Sequence, residues 1–361
     1  MAFPIRRSVF AEYIKKHIPN ARLLSISLLG SGWHGRGYRI EIEVKTKSLT
    51  KKQTLVLREE KPFWFSHDYA ADRAKSFLLQ HHSAQSLPNH AKSFDVLSKK
   101  NTTLVSIGSC REFYQLVEGL TGRAYVYDLD EIKKRGHLTE QDRQRALLLS
   151  DYLVYLHKHR YRGSQKLARS LHLRHTRDAI GDGEMLMGVL DTYPDKVSWI
   201  NKKALSEIVV HALRRREEIK DKHHRLCRIH GDFHPANIFF EKDDSFKVTD
   251  ASREVWGEPA DDLTALGINY IWHALQHSKQ FSGPFAQLFY LFWNNYFRKM
   301  RDEEMREMVG LFFAFRAVVV AHPVFYPRQA DGVRRALISF ALKVLDERSF
   351  DELKIKKYLH S

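Results

Sequence analysis

The sequence predicts an α+β chain in two parts, a small antiparallel β lobe with one main helix followed by a large, mostly helical lobe. Three observations predict it. Residues 22–60 alternate apolar and polar side chains in short runs, whereas from about Tyr125 the apolar residues recur at helical period. Between the two patterns, LVEGLTGR carries Gly119 and Gly122 where the character of the chain changes. The parts are therefore set at 1–119 and 120–361.

The elements follow in order. MAFPIRRSVFAEYIKKHIP interrupts its apolar residues with Arg6, Arg7, Glu12, Lys15 and Lys16, which suits an amphipathic first helix and not a signal peptide. RLLSISLLG, YRIEIEV and QTLVLREE form a three-strand meander, with glycines crowding its first connection and KTKSLTKK its second. A helix over 67–84 ends near Pro88, and two further strands are expected around TLVSIG and FYQLVEG, making five. QDRQRALLLSDYLVYLHKH (141–159) reads as a helix with Leu147, Leu148, Tyr152, Tyr155 and Leu156 on its inner side. Residues 225–252 break the helical pattern with a short strand, a loop and a hairpin-like strand pair. NYIWHALQH and FYLFWNNYF are expected in the helical core. The most apolar late segment, VGLFFAFRAVVVAHPVF (309–325), carries Arg316 in its middle and is cut by His322 and Pro323, so it reads as a buried core helix.

Of the 361 residues, 43% are hydrophobic and 28% charged, a balance that supports a globular core and excludes large-scale disorder. The two cysteines, Cys110 and Cys227, lie far apart without metal-ligand spacing, so free thiols in a reducing cytoplasm are expected. A formal charge of +16 is compatible with nucleic acid, an anionic membrane or a polyanionic nucleotide. The basic residues are spread out, and clusters such as Lys51-Lys52 and Arg214 to Arg216 are brief, so they read as solvated faces. Neither nucleic acid nor a membrane is an expected partner.

The chemistry concentrates in IHGDFHPANIFF (229–240). Asp232 is followed five residues later by Asn237, then by Ile238, Phe239 and Phe240, which would anchor the loop on a buried strand. Phosphoryl transfer needs one carboxylate to take the acceptor hydroxyl proton and a neutral amide oxygen to help hold Mg²⁺. Asp250 follows the strand FKVT, and a carboxylate at a strand end is a fitting second ligand for an ion that takes its other oxygens from phosphate and water.

HGDFHPAN, then VTDAS, then WGEPADDLTAL resemble in order and spacing the run shared by aminoglycoside phosphotransferases and related choline, homoserine and fructosamine kinases, a branch of the protein-kinase-like fold. The resemblance implies a bilobal fold with ATP between the lobes. It makes Asp232 the catalytic base or hydroxyl-orienting residue and Asn237 and Asp250 the magnesium ligands. Asp262 would brace the catalytic loop from a following helix, with His230 packed beneath that loop. The acceptor would be a small hydroxylated molecule. Its identity, the choice of ATP over GTP and the oligomeric state are not specified by these residues.

The first hairpin holds Gly30-Ser31-Gly32-Trp33-His34-Gly35, a G-x-G-x-x-G that precedes a strand. Dinucleotide-binding loops open a helix, whereas kinase glycine loops join two antiparallel strands and let backbone amides approach phosphates. Arg58 ends the third strand where protein kinases have lysine, and it would contact the α- and β-phosphates in a different geometry. Asp72 is the nearest acid to the usual helix partner. FYQLVEGLTG resembles an interlobe hinge, in which the Glu118 carbonyl and the Leu120 amide would meet adenine.

Several residues stay open between site and scaffold. His234 is either a nucleotide or substrate contact or a structural donor; Arg253 and Glu254 are either near the metal or a solvated pair. The segment 177–194, with Asp182, Glu184 and Asp191, is either an ordinary connection or a shaper of acceptor choice. The alternative to a kinase is a nucleotide-binding regulator or pseudokinase without turnover.

Overall fold

A computed structural model describes residues 3–31, 35–46, 48–62, 69–86, 93–110, 120, 122–182, 184–195, 197, 199–251 and 255–360, with backbone alone for 83–86. It is α+β, and it forms two compact units, Met1–Val117 and Glu118–Ser361.

The first unit is built on an antiparallel sheet in the order β1 (Ala21–Ser31), β2 (Gly35–Lys45), β3 (Thr50–Glu60). Alternation on the central strand buries Tyr38, Ile40 and Ile42 on one face and leaves Arg39 exposed on the other. Helix α1 (Arg7–His17) presents Phe10, Tyr13 and Ile14, spaced to share one side, to the same cluster. Phe3 closes it, edge-on to Phe10 and Tyr38 at 5.5 and 5.1 Å. Helix α2 (Ala70–Ser86) follows, then a two-stranded antiparallel sheet of β4 (Leu97–Lys100) and β5 (Thr103–Ser106). Asp95 ties that hairpin down, accepting from Ser106 Oγ at 3.0 Å and the Gly108 amide at 3.1 Å, with Tyr13 also donating to it. TLVS forms β5, but with β4 in a sheet separate from β1–β3, and the FYQLVEG run lies outside the described residues.

The second unit runs β6 (Arg123–Ala124), α3 (Tyr125–Arg135), α4 (Glu140–His157) and α5 (Gln165–Thr176). Two π-helical turns (Arg177–Gly181 and Met185–Val189) and a 3₁₀ turn (Leu190–Thr192) lead to α6 (Lys202–Ile219). Next come β7 (Cys227–Arg228), β8 (Ile238–Phe240), β9 (Phe246–Val248) and β10 (Trp256–Gly257). The unit ends with α7 (Ala260–Ser278), α8 (Gly283–Met300), α9 (Met305–Ala321), α10 (Asp331–Asp346) and α11 (Ile355–Leu359). β6, β8 and β9 make one small antiparallel sheet, and β7 pairs with β10.

Helix α4 starts at a Thr139/Asp142 capping box. Its inner face is only partly the expected one: Leu156 is buried and Tyr152 is half-buried against Phe233, whereas Leu148 and Tyr155 are exposed and Ala146, Leu149, Ser150, Leu153 and His157 are buried. The reason is packing against α8, where Ser150 Oγ donates to the Phe292 carbonyl (3.0 Å) and His157 Nδ1 meets Tyr296 OH (2.8 Å). The polar side chains buried on this face are thus hydrogen-bonded. Helix α9 is buried almost throughout, and at Gly310 a Cβ would stand 2.7 Å from the Val344 carbonyl of α10, so glycine permits the close crossing. Among the described residues no helix is long and apolar enough to cross a membrane.

Candidate active site

The loop between β7 and β8 carries His230, Asp232, His234 and Asn237, and it is held by apolar anchors at its midpoint and at its end on β8. Phe233 is fully buried against Tyr152 (ring centroids 5.6 Å), and Ile238 and Phe240 are buried on β8. Gly231 lies in the left-handed region (φ 87°), where a side chain would strain the backbone.

Asp262, in the first turn of α7 and wholly buried, fixes the start of this loop. Its two oxygens accept from the His230 amide (2.7 Å) and the Gly231 amide (2.8 Å), and His157 Nε2 lies 3.3 Å away. Burial pushes the Asp262 carboxyl up, yet the His157 and His230 interactions outweigh it and hold the group below its ordinary value. His230 lies beneath the loop, 5% exposed, with Nδ1 accepting from the Asp232 amide at 3.2 Å.

The middle of the loop is cross-braced by Asn237, which is buried and donates through Nδ2 to the Asp232 carbonyl at 3.0 Å. With its amide nitrogen so used, its Oδ1 is the atom left to accept, which is what a cation ligand requires. The β8–β9 hairpin pairs Ile238 with Val248, and the Thr249 amide donates to the Asn237 carbonyl at 3.0 Å. Asp250 therefore follows directly on the residue bonded to Asn237. Its φ of 59° is unusual for a strand end; Asn20, Asn101 and Asp244 share such values in turns, and Lys279 and Arg301 at helix ends.

Among the described residues no three His, Cys, Asp or Glu side chains form a metal site. One carboxylate plus one amide oxygen nevertheless fits Mg²⁺, which draws its remaining oxygens from phosphate and water.

Asp232 is partly exposed, and its carboxylate is held on one side. Arg316 of α9 donates from Nη1 to Asp232 Oδ1 at 2.6 Å and from Nη2 to Asp261 Oδ1 at 2.5 Å, with the Gly231 carbonyl 3.4 Å away. Burial works against the Arg316 charge, but the carboxylates of Asp261 and Asp232 more than offset it and raise its pKa. His234 Nε2 lies 3.5 Å from Asp232 Oδ2, and its Nδ1 accepts from the Ala236 amide at 3.2 Å, capping the 3₁₀ turn at Pro235. Burial lowers the His234 pKa against the opposing pull of Asp232. Tyr326, between α9 and α10, has its phenol pushed up by burial and then by the Asp232 charge.

Arg316, Asp261 and Tyr326 were not singled out as site residues from sequence. The signal for the pair was present: an arginine inside a helix otherwise apolar must find a partner, and ADDL offers two adjacent acids.

The remaining expectations fall as follows. Gly30 and Ser31 end β1, opposite Gly37 and Arg36 of β2. A Cβ on Gly30 would meet nothing within 4 Å, whereas one on Gly35 would be 2.0 Å from the Glu59 carbonyl, so Gly35 is needed for strand approach. Lys61 donates to Ser31 Oγ at 3.0 Å. Arg58 donates to Gln80 Oε1 of α2 at 2.9 Å, and Asp72 accepts from the Tyr69 amide at 2.8 Å. Leu120 is half-buried outside any element. Gly32, Glu118, Arg253 and Glu254 lie outside the described residues. In the 177–194 segment Asp182 and Asp191 are exposed, while Met185, Leu186 and Val189 are buried. Tyr193 donates to the Val318 carbonyl of α9 at 2.6 Å.

No protein-family model matches the sequence, and no curated protein matches it. Among solved structures, the chain is similar to a spectinomycin phosphotransferase in complex with ADP and spectinomycin, at 11% identity and TM-score 0.33 over 99% of this chain and 98% of that one. It is similar to a choline kinase from Streptococcus pneumoniae at 11% identity and TM-score 0.32, covering 94% and 98%. A glucosamine kinase gives 12% identity and TM-score 0.40, covering 90% and 92%.

Proposed function

We propose that this chain transfers the γ-phosphoryl group of ATP to a hydroxyl of a small molecule, with Asp232 as the catalytic carboxylate. One observation carries the reading: a single braced loop holds Asp232 and Asn237 together through the 3.0 Å bond from Asn237 Nδ2 to the Asp232 carbonyl, and Asp250 follows Thr249, whose amide donates to the Asn237 carbonyl.

In the proposed reaction Asp232 Oδ2 accepts the hydrogen of the acceptor hydroxyl, whose oxygen attacks the γ-phosphorus. The bond to the bridging oxygen breaks and ADP leaves with that oxygen's charge. Asn237 Oδ1 and the Asp250 carboxylate would hold Mg²⁺, which when bound neutralises phosphate charge. Asp262 keeps the loop backbone in place, so rate comes from positioning. Backbone amides around Gly30, Ser31, Gly32 and Gly35, with Arg58, are assigned to the nucleotide phosphates, and Glu118 and Leu120 to adenine.

Purified protein with Mg-ATP is expected to release ADP in an acceptor-dependent way with at least one of a panel of amino alcohols, amino acids, sugars, nucleosides and aminoglycosides. Phosphorus NMR should then show a phosphate monoester. One observation favours the second reading, a nucleotide-binding regulator without turnover: Arg58 rests on the neutral amide of Gln80. Nucleotide binding without ADP release across the whole panel would establish that reading instead.

A further inference from the structure

The geometry points to Arg316 as a positioning residue that fixes the catalytic carboxylate, with Asp261 as its anchor; this rests on the role of Asp232 proposed above. Adjacent residues on a helix point about 100° apart, so the doublet Asp261-Asp262 serves two directions at once. Asp262 holds the backbone of the loop at His230 and Gly231. Asp261 holds the guanidinium that in turn holds the Asp232 side chain.

The planar fork of arginine suits this bridge. One terminal nitrogen binds Asp232 Oδ1, while the other binds Asp261 Oδ1 and lies near the Gly231 carbonyl, so the guanidinium cannot turn without losing both carboxylates. Arg316 is only 7% exposed, so it acts through Asp232 and does not itself reach an acceptor. Tying down Oδ1 removes rotation of the carboxylate and leaves Oδ2, beside His234 Nε2, as the oxygen presented to an acceptor hydroxyl. A purely structural ion pair would be complete with Asp261 alone. Here the buried charge is shared with the one loop carboxylate that is partly exposed.

The test compares wild type, Arg316→Met, Arg316→Lys and Asp261→Asn in steady-state Mg-ATP turnover with an acceptor found in the panel, each checked by thermal melting. Misplacing a reacting group by about 1 Å costs on the order of a hundredfold, so Arg316→Met is expected to lower kcat by at least about tenfold. The KM for Mg-ATP should stay within about twofold, because uniform binding is untouched. Arg316→Lys, which restores the charge without the fork, should recover part of the lost kcat.

A folded Arg316→Met with wild-type kcat overturns the inference while leaving the kinase reading intact. Where Arg316→Met gives no cooperative melting transition, Asp261→Asn decides, since it keeps Arg316 and removes the charge of its anchor, a carboxylate that His175 Nε2 also approaches at 3.7 Å. A kcat reduced at constant KM supports the inference, and an unchanged kcat overturns it. Absence of turnover in the wild type takes down both readings together.

Discussion

Replacing Asp262 by asparagine tests how the loop is held. In the native chain both Asp262 oxygens accept from buried amides, at 2.7 and 2.8 Å, and His157 Nε2 lies 3.3 Å from one of them. Asparagine keeps one acceptor and turns the other into an NH₂ facing an N–H, so one buried donor loses its partner. That costs about 1–3 kcal/mol, and loss of charge at the remaining bonds adds roughly 1 kcal/mol. A total of about 3 kcal/mol lowers Tm by roughly 6–12 °C for a unit of this size. Because the whole fold is worth roughly 5–15 kcal/mol, the variant should still fold.

Thermal melting and amide hydrogen exchange of the 225–240 segment form the assay. Exchange at His230 and Gly231 should accelerate more than exchange in α8, and phosphotransfer should fall without loss of nucleotide binding. A variant with native Tm and native exchange at these two amides would show that Asp262 does not hold the loop.

Two further outcomes follow from the interior of the second unit. His273 is buried beside Phe285, and burial followed by the Lys133 charge pushes its pKa down to about 3. The unfolded chain therefore binds the extra proton first, so stability is complete above about pH 6.5 and is lost as pH falls toward 3. At pH 5 the loss from this group is about 2 kcal/mol; in denaturant titrations at pH 7 and 5, His273→Phe should lack that share of the acid sensitivity. Gly310→Ala places a Cβ 2.7 Å from the Val344 carbonyl and should force α9 from α10, costing about 1–3 kcal/mol by chemical denaturation. An unchanged midpoint would mean that the crossing relaxes freely.

The loop and its strands were legible because their chemistry is local. Asp232 and Asn237 lie five positions apart, and apolar β8 follows immediately, so spacing together with the resemblance of the run conveyed the loop. The arginine bridge was not legible, because Arg316 is 84 positions from Asp232 and 55 from Asp261. Its sequence trace was only a charge in an apolar run, which the reading of 309–325 used to exclude a membrane span and not to seek a partner. The inner face of α4 was read only in part for a related reason: Ser150 and His157 are buried because α8 satisfies them, and a polarity pattern cannot see the acceptor. Gly35 shows the converse, since its place in a phosphate-loop pattern coincides with a steric need created by β3.

Turnover by Asp232→Asn, measured beside nucleotide affinity, tests the central claim most directly. The substitution keeps the size of the side chain and removes its capacity to accept the hydroxyl proton. Loss of such a group costs about 10²–10⁴ in rate, so kcat should fall by at least about a hundredfold while the Kd for Mg-ATP holds within about threefold. Wild-type kcat in a folded Asp232→Asn protein would contradict the assignment.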